Sequence, residues 1–427
     1  MILTMNATDL LYARVSRRLL PFLFLCYVVA YLDRVNVGFA KLQMQADLHL
    51  SDTVYGFGAG IFFLGYFLFE VPANLLLTRV GARRWIARIM ASWGVVTAAT
   101  MFTTTPGAFY AMRFLLGVAE AGFFPGVILY LTYWYPAQRR ARIVAIFMSG
   151  VAVAGVLGGP LSGWIMSACA GKAGLAGWQW LFLLEGLPAV VLGVATLAWL
   201  DDGIADAHWL SDADKATLQQ ALAEEEQARA PWRLRHVFGS SRVWLLALVY
   251  FLFVMGLYGV GFWLPQLIRN AGVQDVLHIG LLTAIPYGLA ALSMILVARN
   301  SDRTGERRWH AALPAFLGAA GLLFSTLHAN DPVLALAALS VATAGILSTF
   351  PVFWSIPTAM LGGTAAAAGI AMINSLGNLA GFVSPYLVGA IRDATHSTAN
   401  GMLLLAASLA AGAALVLLCV NRRGEML

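Results

Sequence analysis

Six ionisable side chains fall inside long apolar stretches of this sequence: Asp33, Arg34, Glu70, Arg113, Glu120 and Glu185. A charge at mid-bilayer costs at least a few kcal/mol, so each is a functional candidate. Their chemistry is narrow. A guanidinium can grip a carboxylate through two parallel hydrogen bonds, and a neighbouring carboxyl can carry a proton. Arg113, Gly117 and Glu120 recur at helical spacing and share one face, as do Tyr27, Tyr31 and Arg34. Gly117 leaves room for a facing group. Asp33, Arg34, Arg113 and Glu120 sum to zero charge. Protonating either acid makes the group cationic and favours an anion, which is what proton-coupled anion uptake requires. The alternative is that Asp33–Arg113 or Arg34–Glu120 are fixed ion pairs locking helices together. Glu70, beside Pro72, reads as a packing or gating group. For Glu185, in Leu-Leu-Glu-Gly-Leu-Pro, a buried hydrogen bond is the one account available.

These residues need an apolar scaffold, and the composition supplies one. The 427 residues are 60% hydrophobic and only 11% charged, against about 25% charged in soluble domains. Twelve apolar segments are expected, near 19–40, 53–80, 86–104, 107–134, 142–168, 178–200, 242–268, 276–299, 310–328, 332–358, 364–391 and 398–420. Each matches the roughly 20 residues that a bilayer-spanning helix needs. The first is too long for a cleavable signal peptide. All six buried charges lie in the first six segments. At about 1.5 Å per residue, Asp33 and Arg34 lie at a depth that overlaps that of Arg113 and Glu120.

Most of the 27 Lys and Arg, among them Arg229, Arg233, Arg235 and Arg423, lie on one side of this topology. Lys41, Lys172, Arg269 and Arg392 lie on the other. That asymmetry is the positive-inside signature. It predicts cytoplasmic termini and explains the net charge of +6 without a nucleic acid partner. Arg79-Val80-Gly81-Ala82-Arg83-Arg84-Trp85 returns as Arg303-Thr304-Gly305-Glu306-Arg307-Arg308-Trp309, which points to two homologous halves. The expected organisation is a six-helix half (1–200), a cytoplasmic connector (201–239) in which Ser211 and Asp214 cap a short surface helix, and a second half (240–427). Glycines and prolines within the segments allow close packing and kinks. Cys26, Cys169 and Cys419 suggest neither disulfide nor metal site. Walker A, His-Glu-x-x-His and His-x-x-x-x-Asp patterns are missing from the sequence, so no enzyme is expected, and no cofactor.

Several strings carry a resemblance. Tyr31-Leu-Asp-Arg-Val-Asn-Val-Gly-Phe-Ala40, Arg113-Phe-Leu-Leu-Gly-Val-Ala-Glu-Ala-Gly-Phe-Phe-Pro125, Tyr133-Trp-Tyr-Pro136 and Phe353-Trp354-Ser-Ile-Pro357 resemble the anion:cation symporters of the major facilitator superfamily. Ser301-Asp302-Arg303-Thr304-Gly305-Glu306-Arg307-Arg308 resembles that superfamily's gating motif. The first copy departs from it, with Thr78 where an Asp is usual. The resemblance implies an all-α membrane protein of twelve helices that imports carboxylates with protons. Arg34 would hold the carboxylate, with Tyr31, Tyr66, Trp354, Asn374 and Asn378 around it. Asp33 and Glu120 would carry protons, modulated by Arg113. Arg79, Arg83, Asp302, Arg303 and Arg307 would gate. A monomer in a bacterial inner membrane is implied.

The segment Ser149–Trp164 offers no Asn or Gln. Buried hydroxyls without partners are costly, so tartrate or phthalate is expected over a polyhydroxy hexonate. An uncoupled or sodium-coupled carboxylate facilitator, or a sugar-acid symporter, is the competing expectation.

Overall fold

A computed structural model describes residues 6–227, 239–360, 363–422 and 424. Arg229, Arg233, Arg235, Arg423 and the connector stretch 228–238 lie outside the described residues. Among those described, eleven helices are long and apolar enough to cross a membrane. In chain order, helices 1 to 6 are Ala7–Asp47, Asp52–Val80, Ala82–Phe102, Pro106–Thr132, Gln138–Ala168 and Gly177–Trp199. Helices 7 to 10 are Ser241–Asn270, Val276–Thr304, Arg308–Leu327 and Pro332–Met360, and helix 12 is Thr398–Cys419. Helix 11, expected as one segment, is two shorter pieces, Gly363–Asn378 and Ala380–Thr395, meeting at Leu379.

Helix 1 differs most from expectation. It begins at Ala7 rather than near residue 19, so Arg14, Arg17 and Arg18 are helical. It also continues through a joint at Asn36 to Asp47, which places Lys41 inside the helix and fully buried. Local sequence sets the other starts. Ser51, Thr105 and Asp275 accept from the third backbone N–H beyond them, satisfying donors that a helix start leaves open.

Apolar side chains such as Leu68, Val71, Leu75, Val191, Val194, Leu292 and Leu296 face outward, where lipid takes the place of water. Inside, glycine sets the helix spacing. A Cβ on Gly94 of helix 3 would stand 2.6 Å from the Gly186 carbonyl oxygen of helix 6. One on Gly159 of helix 5 would stand 2.5 Å from the Gly280 carbonyl oxygen of helix 8. Backbones approach this closely only where side chains are small.

Both copies of the repeated basic motif join two helices end to end, helix 2 to 3 and helix 8 to 9. Gly81 and Gly305 turn the chain at φ +95 and +66, a region that side-chain-bearing residues resist. The end of the bundle holding both turns is called the basic face, and the opposite end the far face. Hydrogen bonds joining the first six helices to the last six cluster at the far face. Asp52 accepts there from Lys41 of helix 1 (2.7 Å) and from Arg392 of helix 11 (2.9 Å). Asp393 in turn accepts from the backbone N–H of Asp52 and Thr53 at the start of helix 2. The Lys41 ammonium lies 3.7 Å from the centre of the Trp263 ring. Tyr55 donates to the Phe262 carbonyl at 3.1 Å, and Arg269 donates to the Leu42 carbonyl.

Candidate functional site

At mid-depth, helices 1, 2, 4 and 7 meet around Arg34. Its guanidinium is paired with the Glu120 carboxylate of helix 4. The second nitrogen donates to the Tyr258 hydroxyl of helix 7 at 3.4 Å, across the boundary between the halves. Glu120 is fully enclosed, whereas the Arg34 side chain retains 13% exposure. The cation is therefore the member an incoming group can touch. Phe62 and Tyr66 of helix 2 lie beneath the guanidinium, with ring centres 5.4 and 5.5 Å away. Gly117 serves as the spacing predicted. A Cβ there would collide with the Phe62 carbonyl, so helices 2 and 4 could not approach as they do.

Of the two ion pairs expected, the structure contains Arg34–Glu120 and lacks Asp33–Arg113. Asp33 makes no ion pair and accepts instead from the Trp93 indole of helix 3 at 2.7 Å. Consecutive helical residues point about 100° apart, so Arg34 facing helix 7 turns Asp33 back into the first six helices. The four-charge cluster thus separates into the Arg34–Glu120 ion pair, an acid behind it and Arg113, which pairs with neither acid. Arg113 donates to the Ala59 carbonyl at 3.3 Å and lies 5.3 Å from the Phe62 ring centre. Two of its nitrogens have no protein partner. Arg34 and Arg113 therefore share one aromatic ring, that of Phe62.

The remaining predicted lining residues divide. Tyr66 borders Arg34, whereas Tyr31 is buried in a small cluster with Val28 and Ala154. Trp354 packs on Tyr250 of helix 7 at 4.8 Å, two turns from Tyr258. Asn374 and Asn378 are half-buried, one turn apart on helix 11. The hydrogen bond that crosses to the first half there comes from their neighbour Ser375, whose hydroxyl donates to Glu70 at 3.1 Å. Glu70 thus bridges the halves.

At the basic face, Arg79, Arg83 and Arg303 are exposed. Asp302 pairs with Arg307 within its own copy at 2.7 Å. No ion pair joins the two copies among the described residues. Thr78, standing where an acid was expected, bonds only its own helix at Leu75. The first copy draws its carboxylate from elsewhere, because Asp202 of the connector accepts from the Arg83 backbone N–H at 2.9 Å. In the second copy Glu306 does this work, accepting from the Trp309 and His310 backbones. Burial opposes ionisation of Glu306, but these bonds and the His310 ring hold its carboxyl below the ordinary range. Sequence reading missed Tyr258, Trp93, Asp202 and the Lys41–Asp52–Arg392 bridge. Tyr258 lies within the glycine-rich run Gly256–Gly261, a signal of close approach. The others depend on partners far away in the chain.

A sequence model described as Major Facilitator Superfamily matches residues 23–385. The chain belongs to the major facilitator superfamily. It is a multi-pass membrane transporter and not an enzyme. A Pseudomonas putida protein named as the metabolite transport protein NicT is 48% identical, the match covering 95% of this chain and 93% of that protein. A protein of Agrobacterium vitis named as a tartrate transporter is 49% identical over the same shares. Among solved structures, a D-xylose-proton symporter aligns with TM-score 0.76 at 16% identity, covering 96% of this chain and 99% of that one. That likeness concerns the superfamily's fold alone: twelve helices in two halves.

Proposed function

We propose that this transporter imports a small organic anion together with protons by alternating access, and that the anion is a carboxylate of the tartrate or phthalate type. The observation that carries the reading is the buried Arg34–Glu120 pair facing Tyr258. Breaking a buried pair by removing one partner's charge costs about 3–5 kcal/mol, because it leaves the other charge uncompensated. An anion cannot take Arg34 while Glu120 stays charged without such a cost. A proton on Glu120 removes its charge, and a substrate carboxylate then replaces it on the same guanidinium. Proton and anion therefore favour each other's binding, and by linkage they do so equally. Arg113, beside the same ring, keeps the site cationic once Glu120 is neutral. Tyr66 and Tyr258 offer hydroxyls on both sides of the anion, while Trp354, Asn374 and Asn378 close it from the second half.

The basic face is cytoplasmic in this reading, following the charge asymmetry, and the bridged far face is external. Residues 1–200 and 240–427 move as two bodies of one monomer, joined by 201–239, in a bacterial inner membrane. Arg79, Arg83, Asp302, Arg303 and Arg307 close the basic face when the far face opens. The relative named as a tartrate transporter supports the carboxylate.

The test is uptake of labelled tartrate and phthalate into proteoliposomes, with galactonate as the hexonate control. Accumulation should rise when the outside is acidified and collapse with a protonophore. Accumulation driven by sodium, or flux indifferent to both gradients, would overturn proton coupling. Preference for galactonate would overturn the substrate class.

A further inference from the structure

Behind helix 1, away from Arg34, lies a second buried polar site. It is built by Asp33 and Asn36 of helix 1, Trp93 and Thr97 of helix 3, Ser162 of helix 5 and Glu185 of helix 6. Trp93 donates to one oxygen of Asp33 at 2.7 Å, and Ser162 donates to one oxygen of Glu185 at 2.8 Å. Asn36 lies beside Glu185, and Thr97 packs against Gly186 next to it. Asp33, Asn36, Thr97 and Glu185 are all at least nine-tenths buried. The other oxygen of Asp33 and the Thr97 hydroxyl have no protein partner, and the Asn36 amide, though beside Glu185, makes no close hydrogen bond to its other oxygen.

Native interiors rarely leave so many polar atoms unsatisfied at one place. Two carboxyls enclosed at one place, without a cation bonded to either, oppose each other's ionisation. The neighbouring elements offer little compensation. Helix 6 has no basic residue, and the helix 5 stretch Gly150–Ala168 has none. Helix 3 holds Arg83, Arg84 and Arg88 in its first turns at the basic face. From the far-face piece of helix 1, Lys41 is committed to Asp52 and Asp47 to the Trp178 indole. Helix 4 presents Arg113 and Glu120 to Asp33, with opposite signs.

We propose that Asp33 and Glu185 form a dyad that holds one proton, bridged by water through Asn36 and Thr97. The dyad is separate from the Arg34–Glu120 pair and coupled to it through the turn of helix 1 that carries both Asp33 and Arg34. A proton leaving one carboxyl oxygen binds the other, so one O–H bond breaks as another forms and the dyad keeps its single negative charge. Loss of that last proton sets two carboxylates against each other. The proposal deepens the proton-coupling reading by giving the proton a resting place the anion never touches.

Infrared titration of the purified full chain follows the protonated-carboxyl band and needs no substrate. The dyad predicts a band that persists to neutral pH. Glu185→Gln should move its midpoint acidward by about one pH unit or more, because the remaining acid no longer faces a like charge. Ser162→Ala should move it alkaline, because the anion loses its donor. Glu185→Asp should restore part of the parent profile. If Glu185→Gln does not fold, the direction given by Ser162→Ala decides. A midpoint unmoved by these variants overturns the dyad, even where Glu120→Gln abolishes proton-driven uptake. A shifted midpoint supports it, even where uptake proves indifferent to protons.

Discussion

The first six helices bring every buried charge of the mid-depth site, and the last six answer with rings, hydroxyls and amides. Arg34, Arg113, Glu120 and Asp33 stand on helices 1 and 4, while Tyr258 of helix 7 meets Arg34, Trp354 of helix 10 packs on Tyr250, and Asn374 and Asn378 are half-buried on helix 11. Two halves of one fold have thus divided the labour. In the proposed cycle, one side holds what changes charge, and the other holds what shapes and closes. Under that proposal, a proton bound in the first half changes the attraction for an anion without disturbing the neutral wall opposite.

Arg34→Lys attacks the charged side hardest. Lysine keeps the charge but loses the two parallel donors, and hydrogen bonds to charged groups are worth about 1.5–3 kcal/mol. Affinity should fall roughly 10- to 100-fold, measured by calorimetry with tartrate on protein of unchanged melting temperature. Near-parental affinity would move the anchor to Arg113.

Glu120→Gln comes next. A permanent neutral amide satisfies Arg34 without a proton, so binding and exchange between two loaded faces should survive while accumulation against a gradient is lost. Asp33→Asn should also lose accumulation. If both variants accumulate like the parent, the pair is a fixed structural lock.

On the neutral side, Tyr258→Phe removes one hydroxyl that Arg34 now meets. A loss of about 0.5–1.5 kcal/mol, or roughly threefold to tenfold in affinity, is expected. A larger loss than that of Arg34→Lys would invert the division between the halves.

The smallest effect separates the two basic turns. Asp202→Ala and Glu306→Ala each uncap a helix start, worth about 1 kcal/mol, and should lower the melting temperature slightly with uptake retained. The folded-state value of Glu306 is depressed, so its contribution is present at neutral pH and disappears as pH falls through that value. The stability gap between parent and Glu306→Ala should therefore close in acid.

The apolar segments, the buried charges and their common depth were legible because a bilayer forces long apolar runs and makes exceptions conspicuous. The Arg34–Glu120 pair was legible as one of two pairings, since depth and helical spacing narrow the candidates. The direction of Asp33 was not, because adjacent residues point to different neighbours and only packing against Trp93 decides which. Lys41 falls just past the first expected segment, which ends at residue 40, because its partners too are visible only in the fold. An ammonium deep in a helix looks disallowed until Asp52 and the Trp263 ring are beside it. Asp202 could not have been assigned to helix 3 from its position after helix 6.

The far-face bridge bears on electrical measurements. Lys41 and Asp52 come from the first half and Arg392 and Asp393 from the second, so each side contributes one charge of each sign. When the bridge parts, neither half carries away net charge. Its opening and closing should therefore move no charge through the membrane field, and its rates should be nearly indifferent to voltage. Any current recorded during turnover would then owe nothing to the parting of this bridge.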